Sequence, residues 1–210
     1  MVRQIDRTEL DLFLSHAETH ARESGNGTTV RFGFRGPSDP FDRDRIRHFL
    51  DGGLSAAVGA AGWCRVWIAE GPSEVRGHVG LRAPVQPESR HRALVNIGVL
   101  ETHRGRGIAA ELLDAAIRWA NTQDTLTWLD AEVFGHNEPA LRLHRKLGFV
   151  EVGRVSDMYR IEGRPVDDIR LALRLRTSYV PPSRSWPTWE RRRPKAENSR
   201  ARPVHGLQRS

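Results

Sequence analysis

The chain has 210 residues, which is the length of a single domain with room for a short appendage. Apolar residues make up 38% of it and charged residues 28%, and this ordinary globular composition excludes wholesale disorder. The longest stretch without a charge, 52–64, is shorter than a membrane-spanning helix, and the charges near Met1 leave no room for a signal peptide. A single cysteine, Cys64, rules out an internal disulfide and a multi-cysteine zinc module. We therefore expect a cytoplasmic protein without a membrane segment.

The formal net charge of +7 lies in the last part of the chain. Residues 176–210 contain nine Arg or Lys residues, two Glu residues and five prolines, whereas residues 1–175 hold equal numbers of bases and acids. A proline-rich segment with few apolar residues and one sign of charge is typical of disorder. We therefore predict a folded domain over 1–175 and a basic, Pro- and Arg-rich, disordered tail over 176–210. The neutral domain is not expected to bind nucleic acid, so only the tail would act as a nucleic-acid or ribosome tether.

Before residue 101, the hydrophobic pattern predicts a hairpin-rich half with two helices. Apolar residues from Leu10 to Ala21 recur at helical spacing, and glycines follow them. Residues 28–41 contain several Gly and Pro residues and are predicted to form a loop. The predicted strands are 2–5, 64–69, 75–81 and 94–100, and the predicted helices are 8–24 and 42–50.

After residue 100, helices alternate with strands. Ile108, Leu112 and Ala116 recur at the spacing of an amphipathic helix, and Gly148 follows directly after a second helix. The predicted helices are 107–122 and 139–147, and the predicted strands are 126–134, 149–162 and 165–174. The element order predicts an α/β fold in which a mixed, mostly antiparallel sheet of about six to seven strands is flanked by about four helices.

The segment 99–110, between a strand and a helix, carries the strongest functional signal. Glycines let a helix start approach a phosphate, and the unsatisfied N–H groups there bear partial positive charge. Gly105-x-Gly107-x-x-Ala110 matches the dinucleotide-binding fingerprint. However, three polar residues separate the strand from Gly105, and the preceding residues are mostly hairpin rather than strand–helix units. We therefore predict an anion-binding loop of another kind; the chain also has no P-loop motif.

Two motifs together resemble the GNAT superfamily of acetyltransferases. Arg104-x-x-Gly107-x-Ala109 is similar to the family's pyrophosphate loop, R/Q-x-x-G-x-G/A. The family's N-x-x-A-x-x-L-Y-x-x-x-G-F segment is matched by Asn137-x-x-Ala140-x-x-Leu143-His144-x-x-x-Gly148-Phe149. One helix and one strand separate the motifs, as in the family, and the resemblance covers roughly residues 1–175. It implies a GNAT-like fold with acetyl-CoA as co-substrate and no metal.

The resemblance also implies which residues contact the cofactor. The pyrophosphate of the family lies on successive amides at a helix N-terminus, here helped by two guanidinium groups. The pantetheine arm lies along the preceding strand, in a splay between it and the next parallel strand, where an amide would also hold the thioester oxygen. The implied cofactor-binding residues are Ile97, Gly98, Val99, Arg104, Gly105, Arg106, Gly107, Ile108, Ala109 and Asn137. A helix N-cap would equally select Asn at position 137.

Glu132 is the candidate general base. In the N-terminal alanine acetyltransferases of ribosomal proteins, a Leu-Glu-Val strand carries the base, and residues 131–133 resemble it. A carboxylate in such a cleft can act through a water molecule, and burial raises its pKa. Two other carboxylates stay open as alternatives. Asp130 is two residues before Glu132, so its side chain points to the same face of the strand, and Glu101 begins the phosphate loop. An exposed strand carboxylate without a catalytic role also stays open.

His144 stands where the family has Tyr, its usual general acid. An imidazolium can donate a proton to a thiolate, but the neutral ring is the commoner state of histidine at pH 7. Three interpretations follow: His144 is the acid with an altered pH dependence, the thiolate leaves without an acid, or His144 only packs.

The remaining histidines and the cysteine predict no metal site. His16 and His20 lie one helical turn apart, but no third ligand is near them in the sequence. We expect both on a solvated helix face. Cys64 begins an apolar strand and is expected to be a buried thiol.

The resemblance implies that the acceptor enters opposite the cofactor, between the segments near 25–54 and 154–162. Acidic and basic residues interleave there, so a protein N-terminus, a polyamine, an aminoglycoside and an amino-acid-like metabolite all stay open. The function that follows is transfer of the acetyl group of acetyl-CoA to a primary amine by direct attack in a ternary complex. The alternative, motivated by His144, is a non-catalytic acyl-CoA-binding or regulatory domain. A homodimer also stays open.

Overall fold

The computed structural model describes residues 1–25, 32 and 40–176. The predicted tail beyond Arg176, and much of the predicted loop 28–41, lie outside the described residues. The strands are β1 (Val2–Gln4), β2 (Cys64–Glu70), β3 (Val75–Arg82), β4 (Arg92–Val99), β5 (Trp128–Phe134), β6 (Val150–Ile161) and β7 (Arg164–Arg174). The helices are α1 (Leu10–Glu23), α2 (Arg43–Ser55), α3 (Ile108–Ala120) and α4 (Glu138–Lys146).

The seven strands form one sheet in the order β1-β2-β3-β4-β5-β7-β6. Adjacent strands are antiparallel, except that β4 and β5 are parallel. Parallel neighbours need a crossover connection, and α3 provides it. The predicted α/β fold, with its mixed, mostly antiparallel sheet and four helices, is thereby confirmed for the described residues.

α2 is longer than the sequence predicts, since it continues to Ser55 instead of ending at Leu50. The reason is the role of its glycines. A Cβ on Gly53 would lie 2.6 Å from Sγ of Cys64, so glycine allows α2 to approach β2 and does not end the helix. Cys64 is buried, as predicted, and burial raises the pKa of its thiol to about 11.

Helices cover both faces of the sheet. α3 and α4 lie on one face, where Leu112 of α3 and Leu129 of β5 belong to the larger apolar cluster. α1 and α2 lie on the other face, where Leu14 packs in a cluster with Ile68 of β2. Since successive side chains of a strand point to opposite faces, Glu132 of β5 faces the side of α1 and α2.

The parallel pair separates halfway along its length. Backbone pairing between β4 and β5 ends at Val95 and Ala131. Beyond that point, β4 continues beside β3, and β5 continues beside β7. The facing edges of residues 96–99 and 132–134 therefore enclose a gap whose N–H and C=O groups no described strand satisfies. This gap lies where the resemblance implies a splay.

The core beside this gap gives a test of the fold. Leu129 of β5 is fully buried, so Leu129→Ala is expected to lower the free energy of unfolding by about 2–5 kcal/mol, through lost burial and the cavity left behind. Val85 is 85% exposed, and Val85→Ala is expected to change the free energy of unfolding by less than about 0.5 kcal/mol. Urea denaturation of both variants checks this, and equal effects would contradict the burial described.

Candidate active site

A cavity of about 580 Å³ opens at the gap between β4 and β5. Its lining includes His20 of α1 and Leu143 of α4, which lie on opposite faces of the sheet, so the cavity passes through the gap. Nine of the ten implied cofactor residues line it. They are Ile97, Gly98, Val99, Arg104, Gly105, Gly107, Ile108, Ala109 and Asn137. The tenth, Arg106, is exposed and is not part of the lining.

The start of α3 forms one wall of the cavity. Gly105 and Gly107 have φ angles of +74° and +81°, which favour glycine strongly over residues with a Cβ. Gly107 is the N-cap residue, and no side chain of the described residues caps the helix. The first amides of α3 are therefore available as hydrogen-bond donors, with the helix dipole favouring an anion beside them. This wall is suited to a phosphate or pyrophosphate group.

The two arginines of the loop differ in their contacts. Nε of Arg104 donates to the carbonyl of Val99 at 3.0 Å, and its Nη2 donates to Oε2 of Glu23 at 2.8 Å. The same Glu23 carboxylate accepts from the backbone N–H of Glu101 at 3.0 Å. Arg106 has no such partner among the residues that the structure describes. Arg104 therefore ties the loop to α1, and Arg106 is the guanidinium available to a bound anion.

Asn137 is both a lining residue and a helix cap. Its side chain accepts from the backbone N–H of Ala140 at 3.3 Å, and it is the N-cap of α4. The two interpretations of Asn137 are therefore compatible. The cap fixes the position of the side chain at the cavity wall.

A cluster of three imidazoles lies on the α1 side of the gap, and the sequence analysis missed it. His16 is only 5% exposed, and His20 lines the cavity, so the prediction of a solvated face is wrong. His78 of β3 lies opposite Gly98 of β4 in the sheet register. The signal was present in the sequence, because His16 and His20 follow Phe13 by three and seven residues, on the buried stripe of α1.

The cluster explains why residue 98 is glycine. A Cβ there would lie 2.3 Å from Cε1 of His20 and 2.7 Å from Cε1 of His78. The His20 ring also stacks on Phe32, with 4.4 Å between ring centroids. Glycine at 98 therefore lets the imidazole of His20 pack directly against the backbone of β4.

Hydrogen bonds fix the protonation pattern of two of these rings. Nδ1 of His16 donates to the carbonyl of Val75 at 3.0 Å, because a carbonyl only accepts. Nε2 of His16 lies 2.9 Å from Nδ1 of His78 and must accept its proton when both rings are neutral. Burial lowers the pKa of His16 to about 4 and that of His20 to about 3, and it holds the pKa of His78 well below 6.5. All three rings are therefore neutral at pH 7.

The three candidate bases occupy different surroundings. Glu132 is exposed on β5 beside the gap, opposite Arg170 in the register, and no hydrogen bond engages its carboxylate within the described chain. Asp130 accepts from Nε of Arg92 at 2.6 Å and is therefore already paired. Glu101 lines the cavity at the phosphate-loop end.

A further polar group lies next to Glu132. Asp168 is buried, and its carboxylate accepts from Nε of Arg170 at 3.0 Å. Burial, with the carboxylates of Asp168 and Glu132, raises the pKa of Tyr159. Glu132, Asp168 and Tyr159 therefore form a polar group on the α1 and α2 side of the sheet, in which Arg170 pairs with Asp168.

His144 lies outside the cavity lining and is 2% exposed. Its Nδ1 donates to the carbonyl of Ala140 at 2.8 Å, and its ring contacts Phe149 edge to face. Burial lowers its pKa, and no described group hydrogen-bonds to its buried Nε2. In this arrangement the neutral ring has no second proton to donate.

The described residues, 1–25, 32 and 40–176, contain neither a grouped set of metal ligands nor a membrane-spanning helix. In these ranges no three or more His, Cys, Asp or Glu side chains are grouped so as to hold a metal ion. Nor does any helix of these ranges have the length and apolar character that crossing a membrane requires.

Comparison with known proteins gives a consistent result. The model of the acetyltransferase (GNAT) family matches residues 38–149. A protein of Bacillus subtilis named for phosphinothricin acetyltransferase activity, YwnH, is 35% identical over 82 residues, which is 39% of this chain and 50% of that protein. The chain spans about half of the length, or less, of the curated relatives that it matches.

Solved structures of the same fold cover nearly all of the described chain. An acetyltransferase of the GNAT family from Streptococcus pneumoniae superimposes with a TM-score of 0.70 at 19% identity, covering 83% of this chain and 98% of that one. YncA from Salmonella typhimurium, solved with acetyl-CoA, superimposes with a TM-score of 0.69 at 18% identity, covering 87% and 96%. At these identities the likeness concerns the fold.

The buried imidazoles predict a stability that depends on pH. Their folded pKa values lie below the unfolded value of 6.5, reaching about 4 for His16 and about 3 for His20, so the unfolded chain binds more protons below pH 6.5. The stabilisation is complete above pH 6.5 and falls as pH drops towards 4, by at most about 1.4 kcal/mol per pH unit for each histidine. Unfolding free energies measured from pH 7.5 to 4.5 check this.

His16→Phe is expected to reduce that pH dependence, although it lowers stability at pH 7.5 by removing two hydrogen bonds. His48 is exposed, and His48→Gln serves as the control that keeps the wild-type dependence. An unchanged slope in His16→Phe would contradict a neutral, buried His16.

Proposed function

The chain belongs to the GNAT family of acetyltransferases, and we propose that it transfers the acetyl group of acetyl-CoA to a primary amine, by direct attack in a ternary complex. The observation that carries this proposal is the cavity at the gap between β4 and β5, lined by nine of the ten residues implied for the cofactor. The alternative, a non-catalytic acyl-CoA-binding or regulatory domain, is not favoured by a family match to acetyltransferases.

The cofactor follows the cavity from the loop to the gap. The amides of Gly107, Ile108 and Ala109 bind the pyrophosphate, with the guanidinium of Arg106 beside it. The pantetheine amides hydrogen-bond to the backbone edge of β4 beyond Val95, which β5 leaves unpaired. The thioester then lies near Gly98, where a backbone N–H can stabilise the oxygen as negative charge develops. No metal takes part in this proposal.

Glu132 is the general base that removes the proton from the incoming ammonium, through a water molecule. Glu132 is the first residue of β5 beyond the last β4–β5 pair, Val95 and Ala131. Its exposed side chain is on the face of the sheet opposite α3 and outside the lining of the cavity. Asp130 is less suited, because its pairing with Arg92 holds it in another direction. Glu101 stays the third candidate.

The contacts of His144 favour packing over proton donation. A ring that already donates Nδ1–H to Ala140, and whose pKa burial lowers, is neutral and lacks a proton at Nε2. The role of His144 as general acid stays a prediction that these contacts do not support, so either another group supplies a proton to the departing thiolate or the thiolate leaves without an acid.

The acceptor approaches from the side of α1 and α2, where Glu132 and Asp168 lie. The exposed carboxylate of Glu132, which no hydrogen bond engages within the described chain, favours a cationic amine over a neutral one. A protein N-terminus, a polyamine, an aminoglycoside and an amino-acid-like metabolite are all candidates. Phosphinothricin, which the name of the Bacillus subtilis relative specifies, is an amino acid and joins the panel to be tested.

The remaining proposals concern the protein as a whole. We expect it to work in the cytoplasm, with acetyl-CoA and an amine as its partners and with no membrane contact. A homodimer and a nucleic-acid or ribosome tether in residues 176–210 stay predictions.

The proposed function can be tested by incubating the protein with acetyl-CoA and each amine of the panel above. The release of free CoA thiol is measured. Binding of acetyl-CoA without turnover on any amine would favour the non-catalytic alternative.

The phosphate loop gives a test of cofactor binding. Arg106→Ala is expected to weaken acetyl-CoA binding by about 5- to 30-fold, since an exposed charge-assisted hydrogen bond contributes about 1–2 kcal/mol. Arg118 of α3 pairs with Asp114 on the exposed face of the helix, and Arg118→Ala is expected to bind as the wild type does. Titration calorimetry measures both, and equal affinities in the two variants would exclude a phosphate contact at Arg106.

The proposed role of Glu132 as general base can be tested by measuring turnover. Glu132→Gln is expected to lower turnover by roughly 10²–10⁴-fold, because a positioned base contributes on that scale, while acetyl-CoA affinity changes little. Glu88 is exposed in a short turn before β4, so Glu88→Gln is the matched control with wild-type turnover. If Glu132→Gln retains full activity, Glu132 is not the base, and Asp130→Asn is the next variant to measure.

A further inference from the structure

His20 lies at the boundary between the cofactor cavity and the acceptor side. It lines the cavity of about 580 Å³ together with Ile97, Gly98 and Val99. It also lines a second cavity, of about 230 Å³, between α1, α2 and the sheet. A side chain in this position faces both the strand that carries the thioester and the side from which the amine arrives.

The imidazole of His20 packs against the reacting end of the cofactor site. A Cβ at Gly98 would lie 2.5 Å from Nε2 of His20, so this ring nitrogen approaches the backbone of β4 as closely as the glycine allows. Stacking on Phe32, at 4.4 Å between centroids, holds the plane of the ring. Neither ring nitrogen of His20 is hydrogen-bonded within the described residues, and a neutral imidazole carries one lone pair and one N–H.

The contacts of His144 leave the departing thiolate without a proton donor at position 144. When the C–S bond breaks, the thiolate of CoA takes up a proton, and His144 is buried away from the cavity lining with no second proton on its ring. His20 is a histidine that lines the cavity beside Gly98, and it lies on the side of the sheet from which the acceptor enters.

We propose that His20 is the proton shuttle of the reaction, which takes a proton from the attacking nitrogen and delivers it to the departing thiolate. This inference rests on the proposed acetyl transfer and adds a catalytic residue to it. Glu132 keeps its part, which is to neutralise the ammonium before attack.

The step balances without any further reactant. The neutral amine attacks the thioester carbon, so that a C–N bond forms and the nitrogen becomes positively charged. His20 removes one proton from that nitrogen, the C–S bond breaks, and the electron pair leaves on sulfur. Protonated His20 then donates the same proton to the thiolate, which gives the amide, the CoA thiol and a neutral His20.

The surroundings of His20 suit a shuttle better than a resting base. His16 on α1, His78 on β3 and Arg104 on the phosphate loop face it, and burial with these neighbours lowers its pKa to about 3. A ring of this kind is neutral before the reaction and is a strong acid once protonated. The lone pair of this neutral ring can accept the proton that amide formation releases from the attacking nitrogen. The thiolate, with a pKa near 8.5 for an ordinary thiol, then takes the proton readily.

Two variants and one additive test the shuttle. His20→Gln and His20→Ala are expected to lower turnover on the best amine of the panel by roughly 10²–10⁴-fold, with acetyl-CoA affinity within about threefold of the wild type. In His20→Ala, added imidazole is expected to restore turnover in proportion to its concentration. His91 is exposed at the far end of β4, and His91→Gln is expected to keep wild-type turnover and to be unaffected by imidazole.

The outcomes separate this proposal from the one on which it depends. Turnover by the wild type, with equal turnover by His20→Gln and His20→Ala, would overturn the shuttle and leave the acetyltransferase function intact. Loss of turnover without rescue by imidazole, in variants whose circular dichroism is native, would assign His20 a packing role and also overturn it. Absence of turnover in the wild type on every amine would overturn the proposed function itself.

Discussion

The interruption of one parallel strand pair is the constraint on which the rest of the site depends. β4 and β5 stop pairing at Val95 and Ala131, and each then follows a different neighbour. Unpaired backbone groups inside a sheet are costly unless something else satisfies them. The gap is therefore a place where an extended ligand with its own amide groups can complete the hydrogen bonding. The glycines before α3 leave the first amides of that helix free of side-chain caps at one end of this gap, and Glu132 lies beside the gap.

On the α1 side of the gap, the imidazoles pack closely against the backbone of β4, and charged groups play little part. Gly98 removes the one side chain that would separate β4 from the imidazoles, and Phe32 covers His20 from outside. The hydrogen bonds from His78 to His16, and from His16 to a backbone carbonyl, satisfy two of the rings without any charged partner. The result is a group of neutral imidazoles beside the strand along which the proposed cofactor would lie.

Local signals in the sequence predicted much of this arrangement. The order of elements follows from hydrophobic period and turn residues, and a motif whose members are close in sequence identified the loop before α3, which lines the cavity. The features that the sequence patterns did not predict depend on contacts between residues that are distant in the sequence. His16 and His20 were assigned to solvent because they are polar, although their spacing from Phe13 put them on the buried stripe. His78, from a different strand, completes the group, and no local pattern joins it to α1.

The same dependence on distant contacts explains why the sequence did not distinguish the roles of Arg104 and Arg106 and did not predict the full length of α2. Motif matching cannot distinguish Arg104 from Arg106, yet only Arg104 is bonded to Glu23, whose position 81 residues away is known only from the fold. Gly53 looks like a helix stop, but its environment is the thiol of Cys64. A glycine that permits close packing and a glycine that ends a helix have the same letter in the sequence.

The carboxylate of Glu23 joins α1 to the loop before α3. From the last turn of α1 it accepts both the backbone N–H of Glu101 and the guanidinium of Arg104, so a shift of α1 along the sheet also pulls on the loop before α3. One connection between α1 and the loop before α3 is therefore a part-exposed ionic contact, and Phe32, which contacts both His20 and Arg104, provides another. The ionic contact is weakened by salt, and the stiffness of the link thus depends on ionic strength.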